Sequence, residues 1–150
     1  WYDIYDLTRL QREDKASIQL AEQAVHQLIS SQVAQGIPCH RIVLVGFSQG
    51  GAVVLYTGLR YPEKLAGVVG LSSYLPLVSD FTKQNMPAAC PVFLAHGQQD
   101  SVLPILLGNR SREAIEQLGC EVMWHEYEMA HQVCMEEVHA LSLWLARVLT

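Results

Sequence analysis

Four short, strand-like runs at 41–46, 65–71, 91–95 and 121–127, nearly continuous in apolar residues, sit between segments of helical character. A strand with one face in water alternates polar and apolar residues. Continuous runs instead suit strands buried on both faces, the habit of parallel sheets. In 14–35, Ile18, Ala21, Val25, Leu28, Ile29 and Val33 recur at the helical period, and Gly36 followed by Ile37-Pro38 supplies the stop. A small-residue helix spans 49–60 before Tyr61-Pro62. A third spans 104–118 before Gly119, and Val138, Leu141, Leu145 and Val148 mark a last helix from 135. Strands alternating with helices predict an α/β fold around a mostly parallel sheet flanked by helices. Residues 72–90 are turn-rich, and residues 1–13 lead into the first helix with no strand before it.

Composition narrows the class. The 150 residues are 50% hydrophobic and 17% charged, which fits a single domain over 1–150 and excludes a disordered chain. A net charge of −5 with ten scattered Lys and Arg offers no basic stripe, so no nucleic-acid partner is expected. The apolar runs fall far short of the roughly 20 residues a transmembrane helix needs. The first residue is Trp1, not Met, and no signal peptide is visible, so a segment upstream is expected. Cys39, Cys90, Cys120 and Cys134 contain no C-x-x-C pair, so they read as reduced thiols of a cytoplasmic protein. The six histidines show no ligand spacing, and no metal is expected.

Gly46-Phe47-Ser48-Gln49-Gly50 lies between the first strand and the small-residue helix. A G-x-S-x-G string arises by chance in roughly one chain in twenty of this length, so its placement carries the inference. A strand feeding directly into a helix strains the residue at the turn and lifts its side chain above the sheet edge. Gly46 and Gly50 are expected to prevent the clash that this turn creates, with Gly51 and Ala52 giving further room. Ser48 would be a nucleophile above a helix N-terminus, which favours developing negative charge. Such a serine needs an acid and then a histidine downstream. Asp100 follows the third strand and His131 the fourth, both at the carboxyl edge where Ser48 sits. Asp80 is a rival acid in an irregular stretch. His125 reads as a packed or surface strand residue, His139 as a solvated helix position, Cys134 as packing, and His96 as a buttress of the Asp100 loop.

The segments Gly46-Phe47-Ser48-Gln49-Gly50-Gly51-Ala52, Ser72-Ser73-Tyr74-Leu75-Pro76, His96-Gly97-Gln98-Gln99-Asp100 and Met129-Ala130-His131-Gln132-Val133 together resemble the phospholipase/carboxylesterase group of α/β-hydrolases. Trp1-Tyr2-Asp3-Ile4 and Gln11-Arg12-Glu13-Asp14 resemble the middle of that family. The one local departure is Ala130, where the family commonly has Gly. The resemblance implies Ser48 as nucleophile, His131 as general base and then acid, Asp100 as its orienting partner, and the Gln49 N–H as half of an oxyanion hole. It implies no cofactor, and a small ester or acyl-thioester substrate of short to medium chain length. Trp1, Tyr74 and Leu75 are implied as apolar walls of the cleft. It also implies that N-terminal strands, and a loop bearing the second oxyanion donor, are absent from this chain, making 1–150 the C-terminal portion of a hydrolase domain. Lysophospholipase or acyl-protein thioesterase activity is a second reading. A non-catalytic binding module with an exposed sheet edge is a third. Bare apolar surface on such a chain is what a homodimer would cover.

Overall fold

The computed structural model describes residues 15–87 and 89–150. Within them the chain runs α1 (Lys15–Ala34), β1 (Val43–Phe47), α2 (Gln49–Arg60), β2 (Gly67–Leu71), β3 (Val92–Gly97), α3 (Ile105–Gln117), β4 (Val122–Tyr127) and α4 (Met135–Val148). The strands form one four-stranded sheet in the order β1-β2-β3-β4, every pair parallel. The expected α/β fold around a parallel sheet is therefore present. Register aligns Phe47 with Leu71, Leu71 with Ala95, and Gly97 with Tyr127, so the strands end along one edge. β3 runs two residues beyond its apolar core because His96 and Gly97 still pair with Glu126 and Tyr127.

The period-2 alternation of the strands divides the core in two. Val68, Val92 and Leu94 face Leu55, Tyr56 and Leu59 of α2, Ile115 of α3, and Ile18 and Ile29 of α1. Val69, Leu71, Phe93 and Ala95 face the other way, onto Trp144 of α4. Val45 and Phe47, which continue this second face along β1, are 48% and 39% exposed.

α4 presents most of the expected stripe, since Leu141, Leu145 and Val148 pack against the second core, but Val138 does not join them. Val138 is 45% exposed, while Glu137 is fully buried and Trp144 nearly so. Entry of the helix at Met135 rotates 137, 141, 144 and 148 inward, a spacing of four, three and four that is as helical as the predicted one. In α1, Ile18 and Ile29 point into the core, whereas Leu28 is 66% exposed. Among the described residues no helix is long and apolar enough to cross a membrane.

Candidate active site

Between the last residue of β1 and the first of α2 the chain has one residue in which to turn. Ser48 makes that turn at φ 53°, ψ −120°. A non-glycine residue held at such angles costs about 1–3 kcal/mol and persists only where its surroundings over-determine it. Three hydrogen bonds do so. Ser48 N–H donates to Leu71 O at 2.9 Å, and Ala52 N–H donates to Ser48 O at 3.1 Å. The Ser73 hydroxyl donates to the same Ser48 carbonyl at 2.7 Å.

The glycines around this turn divide the work differently from expectation. A Cβ on Gly46 would stand 2.3 Å from the backbone C and O of Gly50, so Gly46 is obligatory. A Cβ on Gly51 would stand 2.5 Å from both Cβ and Oγ of Ser73. A Cβ on Gly50 would meet nothing within 4 Å among the described residues. The clash that Gly46 avoids is with the main chain at 50 rather than with a side chain there. Gly51, not Gly50, is therefore the second tight position.

His131 lies in the loop after β4 and bridges the two other groups. Its Nε2 is 3.0 Å from Ser48 Oγ, and its Nδ1 is 2.7 Å from Asp100 Oδ2. A carboxylate can only accept, so Nδ1 carries the proton and Nε2 is free to accept the serine hydrogen. The imidazole packs on Phe47 at 4.9 Å between ring centroids, and its side chain is 17% exposed, open on one side.

Asp100 is held on both oxygens. Oδ1 accepts the backbone N–H groups of Val102 and Leu103 at 2.9 and 2.8 Å, and Oδ2 faces His131. Its side chain is fully buried. His96 supports this loop as expected: Nε2 donates to Leu103 O at 2.7 Å and lies 3.6 Å from Asp100 Oδ2. The acid and histidine loops are also joined by Gln98 N–H to Tyr127 O and Gln99 N–H to Met129 O, at 2.9 and 3.0 Å. A Cβ on Gly97 would stand 2.3 Å from the carbonyl oxygens of Met129 and Ala130, so only glycine lets these loops approach so closely.

The remaining candidates fall elsewhere. Asp80 accepts from Tyr56 at 3.1 Å and pairs with Lys15, outside this cluster. His125 stacks on Phe93 within the second core, and His139 is exposed. Cys134 is the N-cap of α4. Burial pushes the Cys90 thiol up to about 12 and raises Cys39 and Cys120, leaving these three poor nucleophiles. Gln49 is the first residue of α2, where backbone N–H groups lack helical partners. Tyr74 lines a cavity of about 210 Å³ together with Ser17, Ile18 and Ala21 of α1 and Gln49, Ala52 and Val53 of α2. Leu75, expected beside it on the cleft wall, is instead 2% exposed and packed in the first core, with its N–H bonded to Ser111 Oγ, because the two side chains diverge as the chain passes. Trp1 lies outside the described residues. Ser73, which the family resemblance includes but to which no role was given, bonds the Ser48 carbonyl through a partnership that strand register sets.

The profile of a family described as phospholipase/carboxylesterase matches residues 1–149. Acyl-protein thioesterase 1 of Neurospora crassa is 40% identical over 152 residues, covering 95% of this chain and 62% of that protein. The protein of the same name in Emericella nidulans is 39% identical, covering 99% of this chain and 68% of its own length. Arabidopsis thaliana SOBER1 superposes with a TM-score of 0.83 at 26% identity over 91% of this chain and 67% of that one. Esterase PE8 also reaches 0.83 at 26% identity, over 89% and 62%. This chain thus spans about two-thirds of the length of the proteins it matches, and it belongs to the phospholipase/carboxylesterase family.

Proposed function

We propose that this chain carries the catalytic groups of a serine hydrolase that cleaves carboxylic esters or thioesters through an acyl-serine intermediate. The observation that carries the reading is the hydrogen-bonded line Ser48–His131–Asp100, with spacings of 3.0 and 2.7 Å. Ser48 Oγ attacks the substrate carbonyl while His131 Nε2 takes its proton. Asp100 holds the ring in the required tautomer and stabilises the imidazolium that forms. The negative charge on the carbonyl oxygen meets the Gln49 N–H at the start of α2. His131 then returns its proton to the departing alcohol or thiol. Water, activated by the same histidine, releases the acid and restores Ser48.

A short- or medium-chain acyl group is the proposed substrate portion, with the cavity that Tyr74, Ala52 and Val53 line beside Gln49 as part of its wall. A second reading, acyl-protein thioesterase activity, is favoured by the names of the curated relatives. Reaction with a fluorophosphonate followed by peptide mapping tests the first step. A single adduct on Ser48, lost in His131→Ala, is the expected outcome. A folded chain that takes no adduct at Ser48 would leave the non-catalytic binding module as the better account. Comparing O-octanoyl with S-octanoyl substrates then separates the esterase from the thioesterase.

A further inference from the structure

We propose that Ser73 is a positioning residue for the oxyanion donor, acting through the peptide plane that joins Ser48 to Gln49, and that Gly51 is the gap that admits it. The inference rests on reading Ser48 as the nucleophile and the Gln49 N–H as the donor. The carbonyl of Ser48 and the N–H of Gln49 belong to one planar amide and point in opposite directions. Whatever fixes the direction of Ser48 O therefore fixes the direction of the Gln49 N–H. Two groups hold that oxygen: the Ala52 N–H at 3.1 Å and the Ser73 hydroxyl at 2.7 Å.

The Ala52 bond is the first turn of α2, which any helical sequence would make. The Ser73 bond comes from outside the helix, from the residue two beyond the end of β2. It ties the peptide plane to the sheet rather than to the helix that bears the donor. Ser73 is 4% exposed, and its side chain occupies the space that a Cβ on Gly51 would take. A second donor on the same carbonyl also polarises the amide, which strengthens its N–H as a donor on the far side. The neighbouring Ser72, at φ 46° and fully buried, reaches Gln132 O at 3.5 Å, so the same short segment touches the histidine loop as well.

Ser73→Ala leaves Ser48 O bonded to Ala52, so the fold survives and the kinetics can be read. Deleting an oxyanion donor outright costs about 10²–10³ in kcat. A donor that is present but loosely aimed loses less, so Ser73→Ala is expected to lower kcat and the fluorophosphonate labelling rate about tenfold with KM little changed. Gly51→Ala should lower both rate and urea midpoint by displacing Ser73. The double variant Gly51→Ala/Ser73→Gly should regain most of the midpoint, less what the 3.0 Å approach to Gly46 O costs, but not the rate, an outcome that a purely structural role does not produce. A folded Ser73→Ala protein labelling at the wild-type rate overturns the proposal and leaves Ser48 as nucleophile untouched. A wild-type chain that never labels overturns the nucleophile reading instead. Amide hydrogen exchange over 48–52 then decides the tether, which is refuted if Ser73→Ala leaves that exchange unchanged.

Discussion

Asp100 commits one carboxylate oxygen to two backbone amides and the other to His131, and this division makes an amide substitution there especially damaging. In Asp100→Asn the remaining oxygen still accepts from Val102 and Leu103, so the new NH₂ faces Nδ1. The ring is then driven to the tautomer protonated on Nε2, which cannot accept the serine proton. We expect kcat for ester hydrolysis to fall about 10⁴-fold with the loop intact, the cost of the wrong tautomer. Steady-state rates alongside far-UV circular dichroism check both halves of that statement. Ser48, Asp100 and His131 were legible in the sequence because each follows a different strand, in the chain order that this chemistry uses. Ser73 was not, because its partnership depends on the register that sets Phe47 against Leu71, and no spacing along the chain encodes a lateral neighbour.

The turn from β1 into α2 sets its own demands on side-chain volume, and the three glycines around it should respond unequally. Gly46→Ala drives a methyl group into the main chain of α2 and should cost several kcal/mol, about the scale of severe overpacking. Gly51→Ala should fall between, because the two nearest obstructing atoms belong to the Ser73 side chain and the main-chain oxygen of Gly46 stands further off, at 3.0 Å. Gly50→Ala meets nothing within 4 Å among the described residues and should change stability by less than about 1 kcal/mol in either direction. Urea denaturation of the three variants gives the order directly. The positions of the strands and helices were readable from the sequence because each apolar run or period is long enough to outvote its ends. On α4 the inward Leu141, Leu145 and Val148 were readable too, but Glu137 was not, since a glutamate is ordinarily taken as solvated and its burial follows from where the helix begins.

Glu137 makes stability of the entire chain depend on pH. It is fully buried, neither carboxylate oxygen has a hydrogen-bond partner among the described residues, and burial pushes it up to about 7 from an ordinary 4.5. The nearby amide of Cys134 offsets this only in part, and on β4 the Tyr127 phenol is itself raised, first by burial and then by Glu137. The folded state therefore holds a proton that the unfolded chain releases near pH 4.5. Stability from this group is complete below that value, declines as pH rises, and is lost above about 7, a difference on the order of 1–3 kcal/mol. Glu137→Gln removes the titration, so its urea midpoint should gain on wild type between pH 5 and pH 8. A constant gap across that range would contradict the assignment. Strand order carries a different consequence for the molecule as it is made. The sheet adds β1 to β4 in the order of translation, and the serine waits for a histidine 83 residues later. A nascent chain that has not yet reached His131 has Ser48 with no base beside it. The proposed hydrolytic competence is thus withheld from every product of synthesis that ends before His131, whether by a stop codon or a stalled ribosome.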